Sequence, residues 1–301
     1  MAELIHSSKL PRDWTDNELL AYHITVKAQT PQQFFCIPDL PLESIDPSLI
    51  NSTINADNVS DSTFQYLTHI GLATNGGQTN MIHDFSRETP CIVGFSEWGL
   101  ALISRFIIPL TICGDNLCDV ETNLCLLDWQ SIILLILRDD KPAFNDLEQP
   151  EPQVIAEAIA AYQHNNRKRQ TRGLPILDAM TIPCITMVGR RPTFYLVPVT
   201  KALSTAVVTG QYPKATTKVM KCITFSPSRH WGREGMEAPA FRHIAFQCFV
   251  AFRGLAKYYW QTFIVSHNMF AISIQNLTRL LRATSASLLH QENSAVYHEE
   301  I

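Results

Sequence analysis

Residues 132–137 read Ile-Ile-Leu-Leu-Ile-Leu, apolar at every position, and an apolar run of this length suits a strand covered on both faces. Two further runs precede it, at 100–112 and 117–127. Both are rich in Ile, Leu and Cys and end in short polar stretches, which predicts a three-stranded antiparallel meander closing on a central strand at 132–139. Before the meander, residues 79–88 place Met81, Ile82 and Phe85 on one side of a helix, and Pro90 is expected to end or kink it. After it, residues 153–165 carry Val154, Ile155, Ala158, Ile159 and Tyr162 on one helical face. Strands at 182–188 and 194–199 follow, joined across Gly189-Arg190-Arg191-Pro192, then a turn or two of helix at 201–208 and an aromatic helix at 238–263.

The order from residue 78 onward is therefore helix, strand, strand, strand, helix, strand. Upstream, Thr15-x-x-Glu18 has the form of a capping box ahead of Leu19, Leu20 and Tyr22. Residues 31–61, punctuated by Pro38, Pro41, Pro47, Asn51 and Asn55, read as a connecting segment. These patterns predict an α/β chain in three parts: a helical and loop extension at 1–75, a core at 76–263 and a helical tail at 264–301, its last residues (291–301) polar.

Composition fits a folded body. Of the 301 residues 46% are hydrophobic and only 17% charged, far from the composition of disordered chains. No basic region followed by an apolar run opens the chain, and no apolar stretch approaches the roughly 20 residues of a membrane span, so an intracellular protein of cytoplasm or nucleus, with no membrane partner, is expected. The eight cysteines lack a CxxC pair and several sit in apolar runs, as reduced core thiols do. The net charge of −4 argues against a surface that is nucleic-acid footprint throughout, and leaves room for a local basic patch. Phosphate-binding loops of the GxxxxGK[ST] kind, GxGxxG turns, GxSxG elbows and HExxH helices do not occur.

The candidate chemistry lies where the central strand ends. In Asp139-Asp140-Lys141 the first and third residues share a face of the strand, bringing an acid and a lysine together. If the preceding turn is centred on Trp129, so that Leu127 faces Ser131, Asp119 comes opposite Asp139 at about 5 Å. Two close carboxylates repel unless a cation lies between them, and their oxygens suit a hard ion such as Mg2+ or Mn2+. Such an ion polarises a phosphoryl oxygen and acidifies a bound water, which is the chemistry of phosphodiester hydrolysis.

An Asp on one strand and Asp139-x-Lys141 at the end of the next, in αβββαβ order, resembles the PD-(D/E)XK (restriction-endonuclease-like) nuclease superfamily over about residues 78–200. Residues 132–141, the helix from Pro152 to Tyr162 and the hairpin 189–195 also resemble fungal proteins with this core. The resemblance implies a central mixed sheet with helical additions at both ends. It implies Asp119 and Asp139 as metal ligands, Lys141 beside the attacking water, Glu88 as an acid from the first helix and Gln153 as a helix residue at the site. It also implies nucleic acid, DNA rather than RNA, as the partner. Glu121 shares a face with Asp119 and could replace or join it. The helix glutamine lacks the tyrosine that follows it in some branches, Glu157 standing there, and a catalytically silent relative that binds protein or nucleic acid is the alternative. Arg167, Lys168, Arg169 and Arg172 are the candidate phosphate contacts; the same cations also suit a helix C-terminus without a ligand. Residues 226–233, Ser-Pro-Ser-Arg-His-Trp-Gly-Arg, mix cations with an aromatic in a way that could grip a single strand.

Overall fold

The computed structural model describes residues 8–37, 39–41, 45–53, 59–75, 78–140, 150–225 and 234–264. Lys141, the segment 226–233 and the polar tail 291–301 lie outside the described residues. Residues Met1–Thr262 form one compact unit; residues Phe263–Ile301 form a second, almost all of it outside the described residues.

The chain is α/β, with a large mixed sheet in the order β1-β9-β8-β7-β6-β5-β2. The spine is β6 (Ile133–Asp140), whose residues Ile133 to Leu137 are wholly buried. Antiparallel to it runs β5 (Leu124–Asp128), and antiparallel to that the edge strand β2 (Leu100–Ser104). On its other side β7 (Ala179–Val188) is parallel to β6, a pairing that requires a crossover; α6 (Pro150–Thr171) supplies it. The hairpin partner β8 (Arg191–Thr200) and then β9 (Thr217–Ile223) continue the sheet, and α7 (Lys201–Thr209) connects the two.

Helices cover both faces. The side chains of α5 (Thr79–Val93) and α8 (Pro239–Trp260) pack on one, α6 on the other. Near its start β6 is not yet paired with β7, and its backbone is satisfied by helix side chains instead. The Asn165 amide of α6 accepts from Ile133 N at 2.8 Å and donates to Ile133 O at 2.9 Å, while the Trp260 indole of α8 donates to Leu134 O at 2.6 Å. One polar clamp from each helix layer thus fixes the spine.

Several elements depart from expectation, each for a local reason. The runs 100–112 and 117–127 are each broken in two. Arg105, at φ 54°, ends β2, and a separate two-stranded ribbon of β3 (Ile107–Ile112) and β4 (Asp115–Glu121) is inserted before β5. Its turn has positive φ at both Cys113 (50°) and Gly114 (80°), the geometry that closes two-residue hairpins. The meander therefore consists of β2, β5 and β6. Helix α5 runs through Pro90 to Val93 and stops at Gly94 in the left-handed region. The described residues of the segment 31–61 include the short helices α2 (Pro31–Phe35) and α3 (Pro47–Asn51), each with proline in its first turn and a side-chain cap from Thr30 or Asp46. Before them the Thr15 capping box starts α1 (Asp16–Ala21) as read, and β1 (Ile24–Ala28) joins the far edge of the sheet parallel to β9. Among the described residues no helix is long and apolar enough to cross a membrane.

Candidate functional site

The pairing register decides which residues meet at the end of β6. The β5–β6 turn is longer than expected: Ser131 sits at φ 63°, and the Asp128 carboxylate accepts from Gln130 N at 2.9 Å and Ile132 N at 2.7 Å. Leu127 therefore faces Ile133 rather than Ser131, and a bulge between Leu126 and Leu127 brings Leu124 opposite Leu137. Ser104 on β2 faces Leu124 in the same row. Asp139, two residues beyond Leu137, keeps that face and meets the segment that links β4 to β5, not Asp119.

The Asp139 side chain is buried and both its oxygens are occupied. Asn123 Nδ2 donates to Oδ1 at 2.9 Å, and His83 Nδ1, from the α5 layer, lies 2.8 Å from Oδ2. The imidazole's other nitrogen is 3.3 Å from Ser104 Oγ. Hydrogen bonding to Asp139 is the main cause of a pKa for His83 above its ordinary value, against the opposing effect of partial burial and of Arg105. With Nδ1–H donated to the carboxylate, the neutral imidazole leaves Nε2 to accept the Ser104 hydroxyl. The result is a continuous carboxylate–imidazole–hydroxyl chain, able to draw a proton from the serine.

The other expected site residues lie elsewhere. Asp119 pairs with Pro109 in the β3–β4 ribbon and lines a cleft of about 210 Å³ together with Glu121, Arg138, Glu157 and Arg12. Arg138 and Asp140 project to the α6 face of β6, opposite Asp139: Arg138 Nε is 3.1 Å from Asp140 Oδ2, and Nη1 is 2.8 Å from Glu157 Oε1. Burial pushes the Glu157 carboxyl up to about 7 in spite of that arginine, and its Oε2 has no hydrogen-bond partner among the described residues. Glu121 sits 3.8 Å from Arg105, on the exposed side of the ribbon. Glu88 is five positions beyond His83, about 140° round the helix, and lies near Tyr66 of α4 (Asp61–Asn75). The helix residue that reaches Asp139 is thus His83. Gln153 donates to Arg12 O at 2.8 Å, on the face away from Asp139. Of the basic run, Arg167 donates to Pro109 O, Arg169 to Pro175 O at 2.9 Å and Arg172 to Gln130.

The structure therefore brings together Asp139, His83, Asn123 and Ser104, and does not bring Asp119, Glu88 or Gln153 to them. One carboxylate, an imidazole and an amide do not match the two-carboxylate oxygen site that a shared hard cation requires. Among the described residues no group of three or more His, Cys, Asp and Glu side chains is placed to hold a metal ion. Glu121-Thr122-Asn123 held the signal for this arrangement: a polar trio inside the run 117–127 marks the break between β4 and β5 that leaves Asn123 beside Asp139. For His83 no local signal exists, since its partner is 56 residues away. No family model matches the chain, and no curated protein matches it significantly.

Proposed function

We propose that the chain is a restriction-endonuclease-like module that works by binding rather than by two-carboxylate, metal-dependent cleavage. The topological support is α5, the meander of β2, β5 and β6, the crossover helix α6 and the parallel strand β7, which together follow the αβββαβ order of that superfamily. The observation that carries the functional half is the state of Asp139. Where the resemblance expects a second acid on the neighbouring strand, Asn123 donates a hydrogen bond, and where it expects a helix acid, His83 does. An amide and an imidazole N–H satisfy both oxygens of a buried carboxylate without a metal ion. Incubation of the pure protein with plasmid and oligonucleotide DNA and RNA, with Mg2+ or Mn2+ and with EDTA, tests this. No cleavage above the EDTA control is expected; metal-dependent cutting abolished by Asp139→Asn would overturn the reading and favour the nuclease.

Ser104 supports a second reading. Its Oγ lies at the end of the Asp139–His83 chain, the arrangement that activates serine nucleophiles. In that reading the hydroxyl attacks an ester carbonyl, its proton passes to His83 Nε2 and on to the departing alcohol, and water releases the acyl group by the same route. The Ser104 Oγ would attack the phosphorus of a fluorophosphonate probe and expel its fluoride, so that the phosphonyl group labels the wild type but not Ser104→Ala or His83→Ala. Absence of labelling in the wild type would remove this reading.

A further inference from the structure

At the opposite end of β6 from Asp139, the turn that leads into the meander and the β5–β6 turn within it carry the two most exposed large hydrophobic side chains among the described residues. Trp98, in the turn before β2, is 78% exposed, and Trp129, in the turn after β5, is 68% exposed; Trp14 and Trp260 are both almost fully buried. The turns are neighbours: Leu100 pairs with Asp128, and Trp129 N donates to Gly99 O at 3.0 Å. An indole left in water at one turn is common; a pair at adjoining turns gathers exposed aromatic surface in one place.

The charges tied to this corner are cationic in excess. Arg172 donates to the side chain and carbonyl of Gln130, next to Trp129, and lies near enough to Asp128 to lower the pKa that burial raises. Lys168 stands in the last turn of α6 and, with Arg167, bears on His164, whose ring nitrogen is 2.9 Å from Ser131 O in the same turn. Beside Trp98, Glu97 is shared between Arg253 at 3.3 Å and Lys257 at 2.7 Å, so one carboxylate faces two cations. In a chain of net charge −4, a local surplus of cations around two exposed indoles selects an anionic partner with stacking faces.

We propose that Trp98 and Trp129, with Arg172 and Lys168, form a binding surface for single-stranded nucleic acid, in which bases stack on the indoles while the backbone phosphates meet the cations. Double-stranded nucleic acid keeps its base faces stacked on one another, so it could meet the cations but not stack on the indoles. The surface stands apart from Asp139, so it holds or fails independently of any chemistry there.

Both indoles report on their own occupancy. Titration of the full chain with a 15-nucleotide oligo-dT or oligo-U, followed by tryptophan emission and by anisotropy of a labelled oligonucleotide, is expected to show quenching and saturable binding that weakens with salt. Trp98→Ala and Trp129→Ala should each weaken binding about ten-fold. Arg172→Ala should weaken it and flatten the salt dependence by about one phosphate contact. All three positions are exposed, and unchanged circular dichroism and melting temperature would confirm intact folding. Wild-type binding that survives in the Trp98→Ala/Trp129→Ala double variant would overturn the proposal. So would an absence of quenching by either oligonucleotide, or a dimer detected by light scattering that the double variant abolishes while oligonucleotides have no effect.

Discussion

Asp139 and Glu157 are both buried acids beside β6, one on each face of the sheet, and they are handled in opposite ways. Asp139 has a donor at each oxygen, from Asn123 and His83. Glu157 has Arg138 on one oxygen and nothing among the described residues on the other, and its carboxyl is pushed up to about 7. Neighbouring N–H groups replace the water that burial takes from both oxygens of the first acid; the second drifts toward neutrality because one ion pair does not replace what burial removes. The acid that resembles a catalytic ligand is thus the one built into the fold, while the acid lining the cleft with Asp119 is the one left responsive to pH.

The sharpest break in this contrast comes from Asp139→Ala, which strands the Asn123 amide and the His83 imidazole at once. A loss of about 3 kcal/mol in urea unfolding at pH 6 is expected; a neutral result would mean that the two hydrogen bonds do not hold the strand end. The α6 face should show itself through pH. The folded-state pKa of Glu157 is raised from an ordinary value of 4.5, so between about 4.5 and 7 the folded chain keeps a proton that the unfolded chain releases. Stability falls as pH rises through that window. Glu157→Gln should remove on the order of 2 kcal/mol of this dependence between pH 5 and 8, seen as converging melting curves. His83 has the same sign in a later window: its pKa is raised above 6.5, so its contribution is complete below that value and is lost as pH rises through the folded-state pKa. His83→Gln retains a donor but does not titrate, and should flatten the alkaline side of the stability profile. Ser104→Ala should cost least, about 0.5 kcal/mol, since its hydroxyl only terminates the chain; a larger loss would make the serine a structural member of the node.

What the sequence made legible follows from how locally each feature is encoded. The all-apolar first five residues of β6, the amphipathic α5 and the β7–β8 hairpin each carry their period or turn within a few residues, whereas α6, expected to bury one face, is buried nearly all round. The parallel β1–β9 pairing joins Ile24 to Thr217 and leaves no local mark. Register failed for a sharper reason: a turn lengthened by the Asp128 cap and one bulge moved the partner of Asp139 from Asp119 to the Asn123 segment, and in a sheet such a slip replaces the chemistry at the site while the strands stay in place. The basic end of α6 was visible, but Trp98 and Trp129 joined it only once the two turns were known to adjoin.

The central claim, that Asn123 and His83 stand in place of the acids a metal site needs, is tested most directly by titrating Mn2+ into the wild type and into Asn123→Asp by calorimetry. The account predicts no Asp139-dependent heat in the wild type and a binding isotherm in Asn123→Asp, where two facing carboxylates favour a shared cation. Wild-type binding that disappears in Asp139→Asn would contradict it.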